Sequence, residues 1–290
     1  MPSNEAPVVS THNNGSALDA DPNSAANGAK RTHHIPQFQT KEEVRRWQLE
    51  QMAGAFRVFA KMGFADGASG HISLRDPVDT DTFWINPYGV HFGLLRVSDF
   101  VRVDEQGRRV GGADAPVSTG GFLIHSAIHQ ARPDINVAVH THTPYGRAWS
   151  VFGRGVEMLC QDSCMFLDDL AVYEDFGGVV FAAEEGRRIA AALGPVKKNI
   201  ILRNHGILSG GGTVGEAVGF FIALERACQT QLLVERVAGS GSGSGLVRTY
   251  VGEEEARYTK RNIGNADVMY MQFEPEYRLI LKETGGDFLE

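Results

Sequence analysis

The sequence is short of cysteine, with three in 290 residues, and an odd count cannot make a fully paired disulfide framework. Reduced thiols are the simpler reading, which fits a reducing compartment. No uninterrupted apolar run approaches the ~20 residues that a membrane-spanning helix requires. The first residues, MPSNEAPVVSTHNNG, hold neither a basic leading region nor a long apolar one, so no secretory signal is expected. An excess of positive charge is also missing: 28 Lys+Arg stand against 35 Asp+Glu, giving a net charge of -7 and a pI ≈ 5.8. A dedicated nucleic-acid binder needs a basic footprint, so neither nucleic acid nor membrane is an expected partner. The 34 glycines follow no G-X-Y period, which excludes a collagen. What is left is a cytoplasmic protein by expectation, 42% hydrophobic and long enough to bury a substantial core.

Residues 1–36 are rich in Asn, Ser, Ala and Gly without apolar periodicity, and read as a disordered tail. Order begins where Thr40 and Glu43 fit a capping box. Leu49, Met52, Ala53, Phe56 and Phe59 then recur at helical spacing, predicting a helix that ends near Gly63. Residues 71–75 and 82–86 read as strands, followed by the turn Pro87-Tyr88-Gly89. A second helix is expected from Ser118 or Thr119 to about Gln130, closed by Arg132-Pro133. Residues 136–142 alternate as a half-buried strand, 178–193 look helical, and 199–203 read as a buried strand. Thr213 and Glu216 form another capping-box pattern before a long helix carrying Val214, Val218, Phe221, Leu224, Cys228 and Leu232. The Gly-Ser run at 239–245 is a flexible linker by composition. The chain thus divides into a tail at 1–36, a main domain at 41–235, and a linker with C-terminal extension at 236–290 that returns to pack on the body or a neighbouring subunit. The mixture of elements gives an α/β domain with one central sheet covered by helices.

The histidines carry the strongest chemical signal. His140 and His142 lie two apart on an alternating strand, so both rings project from one face while Val137 and Val139 face the other. His205 follows an apolar strand, and Gly206 after it lets the backbone turn sharply and leave the ring at the strand's end. Three neutral imidazoles with an open position suit Zn²⁺, and also Fe²⁺ or Mn²⁺. An isolated H-x-H is more often polar surface, so the pair alone does not establish a metal site. His125 and His129 share a helix face, yet Ser126-Ala127-Ile128 between them lacks the Glu of an H-E-x-x-H helix. Hydrogen bonding to a neighbouring loop is the expected use of that pair. Spacing assigns nothing to His71 or His91. Cys160 and Cys164 read as buried free thiols, Asp168 and Asp169 as a solvated loop, and 210–213 as a turn with a helix cap. Arg75 and Arg203 are candidate anion contacts.

Six segments then occur in a recognisable order: GASGHISLRD from Gly67, INPYG from Ile85, IHSAIHQARPD from Ile124, VAVHTH from Val137, AVYEDFG from Ala171 and LRNHGIL from Leu202. Over about residues 41–235 the sequence resembles the class II aldolase/adducin head family. The resemblance implies a three-layer α/β/α sandwich around a mainly antiparallel sheet, a four-fold homotetramer and a small-molecule substrate. It implies one divalent metal per subunit, Zn²⁺ first and Fe²⁺ or Mn²⁺ as alternatives, held by His140, His142 and His205. Tyr173 aligns with a tyrosine that donates a proton across the subunit interface. Gly70, His71, Tyr88, Gly89, Thr119 and Gly120 fall at substrate-binding positions.

Three departures stand beside these matches. The Glu expected four residues before the helix histidine is Gly121, the phosphate-holding Ser-Ser pair is Thr119-Gly120, and the Gly-Asn of the first phosphate loop is Gly70-His71. The metal cradle is kept while the acid–base and phosphate parts are rebuilt. The implied function is a metal-dependent lyase, acting by retro-aldol cleavage or decarboxylation through an enolate. Its substrate would be small, oxygenated and non-phosphorylated, with Tyr173, Asp175 or a nearby His returning the proton. A three-His Fe²⁺ oxygenase on the same scaffold is the second reading. A non-catalytic, adducin-like cytoskeletal module is the third, disfavoured by the retention of all three histidines and an acidic chain end.

Overall fold

The structure, a computed structural model, describes residues 35–178, 183–238 and 243–290. The expected tail therefore lies, apart from its last two residues, outside the described residues, as does the first part of the Gly-Ser run. The first helix, α1 (Lys41–Lys61), starts as its capping box dictates: Thr40 Oγ1 accepts from the Glu43 N–H at 3.2 Å, and the Glu43 carboxylate accepts from the Thr40 N–H at 3.0 Å. It ends two residues before Gly63, whose φ of +76° an L side chain rarely adopts.

Among the described residues eight strands follow: β1 (His71–Arg75), β2 (Thr82–Ile85), β3 (Val101–Asp104), β4 (Arg109–Gly112), β5 (Val137–Thr141), β6 (Leu170–Tyr173), β7 (Asn199–Leu202) and β8 (Gly206–Gly211). They form one sheet in the order β4-β3-β2-β1-β5-β8-β7-β6, antiparallel throughout except for the parallel pair β6–β7. The central strand β5 is buried along its whole length, and its alternation splits the core in two. Val137 and Val139 join Ile72, Leu74, Ile201 and Ile207 on one face of the sheet. That face is covered by α1, by α5 (Val214–Ala238) and by α7 (Ala266–Thr284). The opposite face packs Ile200, Leu202 and Leu208 against α2 (Thr119–Ala131) and α4 (Ala183–Leu193). The architecture is the expected three-layer sandwich around a mainly antiparallel sheet.

The R-P-D segment is a structural staple. The buried Arg132 guanidinium donates to the carbonyls of Gly194 (2.8 Å) and Lys197 (2.6 Å) and pairs with Asp134 (2.7 Å), which ties the end of α2 to the α4–β7 connection. Strand β8 reads in sequence as a glycine-rich turn, yet it is buried between β5 and β7. Its glycines answer packing: a Cβ at Gly210 would lie 2.9 Å from the Ile135 side chain, and one at Gly211 would lie 2.9 Å from the Ala217 amide. Before α5, Thr213 caps the Glu216 N–H at 3.2 Å, but the Glu216 carboxylate turns to the Gly212 N–H (2.7 Å) and to Lys198 rather than closing the box.

α5 is apolar and long enough to cross a membrane by length and composition alone; here it is the central helix of one layer, with Val218, Phe221, Leu224 and Cys228 in the core. It runs past the boundary placed at 235. After α6 (Glu253–Ile263), α7 returns to the body and contributes Met269, Phe273, Tyr277 and Ile280 to the same core. Two glycines of α5 permit the approach: a Cβ at Gly215 would sit 2.5 Å from Tyr270, and one at Gly219 would sit 2.4 Å from the Met269 carbonyl oxygen.

The Gly219 contact generates a stability prediction. Replacing a mid-helix Gly by Ala favours the helix by about 1 kcal/mol. Overpacking against backbone costs about 1–3 kcal/mol, and at 2.4 Å the upper end applies. Gly219→Ala should therefore destabilise the protein by about 2 kcal/mol in urea unfolding, whereas the propensity term alone would stabilise it.

Candidate metal centre

His140 is the penultimate residue of β5 and pairs with His71 of β1 on one side and Leu208 of β8 on the other. Its Nδ1–H donates to the Ile207 carbonyl at 2.9 Å, which fixes the tautomer and leaves the Nε2 lone pair free. The strand ends at Thr141, and α3 (Pro144–Ser150) begins with Pro144 in its first turn, a position that lacks no required donor. Glu225 of α5 caps this helix. Its carboxylate accepts from Thr143 Oγ1 (2.5 Å), the Tyr145 N–H (2.9 Å) and the Gly146 N–H (2.6 Å). His142 is thereby held in the short segment between a buried strand and a capped helix. His205 lies in the three-residue turn joining β7 to β8. There Asn204 takes the left-handed conformation (φ +60°) that Asn tolerates, and Gly206 opens the next strand at φ +154°.

These elements bring His140, His142 and His205 together. One ring nitrogen from each lies within 4.8 Å of the others, and the Nε2 atoms of His142 and His205 are 3.1 Å apart. Ring centroids are separated by 5.2, 4.7 and 5.0 Å, and the planes meet at 78°, 68° and 78°, so three edges converge on one point. A tetrahedral cation with metal–nitrogen bonds of about 2.0–2.1 Å places its donors about 3.3 Å apart, so the set fits a divalent ion. Burial lowers the basicity of all three: His140 lies well below the ordinary imidazole value, His142 is lowered, and His205 is brought down to about 4. At neutral pH they present the uncharged form that ligates metal.

The centre opens on a cavity of ≈ 710 Å³, ample for a small organic guest. Of the positions that the resemblance suggests for substrate, Gly70, His71, Tyr88, Thr119 and Gly120 line it. Gly89 does not; it turns the chain at φ +81° beside Tyr88. Arg147, Asn204, Phe176 and Ile124 also line the cavity and escaped the sequence reading. Asn204 and Arg147 had a signal available, since one adjoins His205 and the other lies one helical turn past His142. Among the described residues no Asp or Glu lines the cavity. Its one cation, Arg147, pairs with Asp66 at 3.1 Å.

Behind the cavity the helix pair His125/His129 has a use that spacing did not reveal. The expected loop contact exists only at His129, whose Nδ1–H donates to the Ile135 carbonyl at 2.9 Å. Both rings instead share Ser73 of β1. With Nδ1 of His129 protonated, its Nε2 accepts from Ser73 Oγ–H (2.7 Å), and Ser73 Oγ accepts in turn from His125 Nδ1–H (2.8 Å). His125 Nε2 is left buried without a partner, as is His71 Nδ1.

Other candidates are placed away from the centre. Tyr173, at the end of β6, is buried, donates its O–H to Glu185 at 2.8 Å, and does not line its own protomer's cavity. Burial and the Glu185 carboxylate push the phenol up to about 12. Arg75 is engaged by the carbonyls of Thr80 and His129 and by the face of Phe83, so it is no anion contact. Arg203 does not border the cavity either. Asp168 and Asp169 are not a free loop; they pair with Arg257 and Lys260 of α6 at 2.7 Å each. Cys160, Cys164 and Cys228 are free thiols, of which Cys160 is only half-buried.

Comparison with known proteins places the chain in a family. Residues 50–232 match the sequence model of the Class II Aldolase and Adducin N-terminal domain. A 4-hydroxy-3-prenylphenylpyruvate oxygenase/4-hydroxy-3-prenylbenzoate synthase of Streptomyces roseochromogenus subsp. oscitans is 36% identical over 249 residues, covering 86% of this chain and 87% of that one. Decarboxylase NovR of Streptomyces niveus is 37% identical over 247 residues, covering 85% and 88%. Among solved structures, an L-fuculose 1-phosphate aldolase from Glaciozyma antarctica PI12 superposes with a TM-score of 0.78 at 36% identity, covering 88% of this chain and 96% of that one. The chain belongs to the class II aldolase/adducin family, a family with enzymes among its members.

The buried imidazoles make stability acid-sensitive. Unfolded, each takes up a proton near 6.5; folded, His205 does so only near 4, and His71 and His129 only near 3. Below 6.5 the unfolded chain binds more protons than the native one, so stability present above that pH should be lost progressively as pH falls toward 4. Urea midpoints of metal-free protein between pH 7.5 and 4.5 should decline steadily; a flat profile would contradict the burial of neutral imidazoles.

Proposed function

We propose that this protein is a metal-dependent lyase whose preferred reaction is decarboxylation of a small, non-phosphorylated oxo acid with an apolar or aromatic portion. The observation that carries the reading is the company the three imidazoles keep: among the described residues no carboxylate lines the cavity, and Gly121 stands at the position that could supply a base. Retro-aldol cleavage begins when a base removes a hydroxyl proton. Decarboxylation of a 3-oxo acid needs no such step, because the bond to the leaving carboxylate supplies its own electron pair.

A divalent cation held by His140, His142 and His205, Zn²⁺ in the first instance, would supply Lewis-acid stabilisation of charge developing on the guest's carbonyl oxygen. The chain's own residues do the rest. Among the described residues no carboxylate lines the wall, and the Arg147 guanidinium, shared with Asp66, is the cation there that an anionic guest would meet. Tyr88, Ile124 and Phe176 offer apolar surface to its remaining part. The relatives named as a decarboxylase and as an oxygenase/synthase support an oxo-acid guest.

The reading extends to a cytoplasmic homo-oligomer in which Tyr173, which does not line the cavity of its own chain, serves a neighbouring protomer's cavity once its hydroxyl is released from Glu185. A second reading, Fe²⁺-dependent oxidative decarboxylation of an aromatic 2-oxo acid, is favoured by the absence of any charged group in the ligand set, which suits iron retaining open positions.

Protein purified without chelator should carry about one divalent ion per chain. It should release CO2 from an aromatic 3-oxo acid such as benzoylacetate faster than the spontaneous rate, without oxygen uptake. Oxygen uptake with 4-hydroxyphenylpyruvate would favour the second reading, and a folded, metal-free, inactive protein would overturn both. His140→Ala should weaken metal binding by more than about 100-fold, since losing even an outer hydrogen-bond partner costs ~10–100-fold. Its fold should persist.

A further inference from the structure

His71 and Gly121 meet at the cavity wall in a way that neither position reveals alone. A Cβ built on Gly121 would lie 1.7 Å from His71 Nε2 and 2.0 Å from its Cδ2. No side chain fits at 121 while the ring stays where it is. The ring cannot readily leave. It is buried, wedged edge-on against His125 with centroids 4.4 Å apart and set 5.4 Å from the His140 ring. Its backbone is fixed by pairing with His140 across the sheet. Gly121 is fixed as well, in the first turn of α2, where its N–H donates to the Ser118 hydroxyl. Both residues line the cavity that the three ligand histidines face.

We propose that His71 and Gly121 form a reciprocal steric pair that sets which guests the centre accepts. The imidazole at 71 fills the volume of any side chain at 121. A guest beside the three histidines therefore meets the hydrogen-bonding edge of a ring where a carboxylate could otherwise stand, and the site selects guests that bring their own carboxylate. A carboxylate on this wall would repel a guest's carboxylate, so the identity of the wall bears on the choice between an acid and its neutral analogue. This rests on the proposed reading of the centre as an oxo-acid site and names the residues that make it so. The steric half stands without it.

The experiment has two arms. In the first, metal-free protein is melted as wild type, Gly121→Ala, His71→Asn and the double variant. Alanine would ordinarily strengthen a helix, so a fall of at least about 3 °C for Gly121→Ala, largely recovered in the double variant, establishes the exclusion. Additive shifts, or no fall at all, overturn it. In the second arm, Co²⁺-loaded protein is titrated by its visible absorption with two matched guests, benzoylformate and 2-hydroxyacetophenone. Both offer an aromatic ring and two adjacent oxygens, and only the first is a carboxylate. Wild type should prefer benzoylformate, and His71→Asn/Gly121→Glu should reduce that preference at least about ten-fold while still binding one Co²⁺. His71→Asn alone, which introduces no charge, should weaken benzoylformate with less effect on the neutral ketone. An unchanged preference in both variants overturns the selectivity claim. Wild-type protein that binds Co²⁺ and neither guest also overturns the selectivity claim, whereas failure of the lyase reading would show separately, as protein that prefers benzoylformate yet releases no CO2 from benzoylacetate.

Discussion

The hydrogen bond from His140 Nδ1 to the Ile207 carbonyl is the tie on which the centre depends. It joins two wholly buried strands of the sheet and does two things at once. It settles which nitrogen carries the proton, and it aims the other along a direction set by the β5–β8 register. The remaining two ligands come from chain segments whose freedom is removed by different means. His142 is caught between the end of β5 and a helix capped by the buried Glu225, while His205 sits in a turn shaped by Asn204. Three imidazoles from two strand ends converge because the sheet itself is rigid.

Around that point the molecule accepts a stability cost. His71 Nδ1 and His125 Nε2 are buried without partners, and each such group costs about 1–3 kcal/mol relative to a satisfied one. Hydrophobic packing on both faces of β5 absorbs this. The neutral rings put no carboxylate among the described residues that line the cavity, and the nearby Asp66 is paired with Arg147. Structure and chemistry therefore meet in one choice, imidazole in place of carboxylate, made at 71 and 121 together.

Much of this was legible in the sequence. The alternation at 136–142 placed His140 opposite Val137 and Val139, and the capping box at Thr40 marked the start of the first helix. The Asn-His-Gly turn after an apolar strand marked His205 as the ring that joins His140 and His142. What stayed hidden depends on contacts distant in the chain. The glycines of β8 look like turn residues until Ile135 and Ala217 are seen against them. Ser73 gives no hint in sequence that it joins His125 to His129. Gly121 reads as a lost base, and only its nearness to His71 shows that the space was reassigned. Tyr173 matches its family position, yet its hydroxyl is bound to Glu185, a partner twelve residues on in a helix the sequence announced only roughly.

X-ray absorption at the metal edge of zinc- or iron-loaded protein tests the central claim most directly. The account predicts three imidazole nitrogens at about 2.0–2.1 Å, with the remaining coordination supplied by light atoms that exchange when an oxo acid is added. Two imidazoles or fewer, or a fourth that closes the open position, would contradict it.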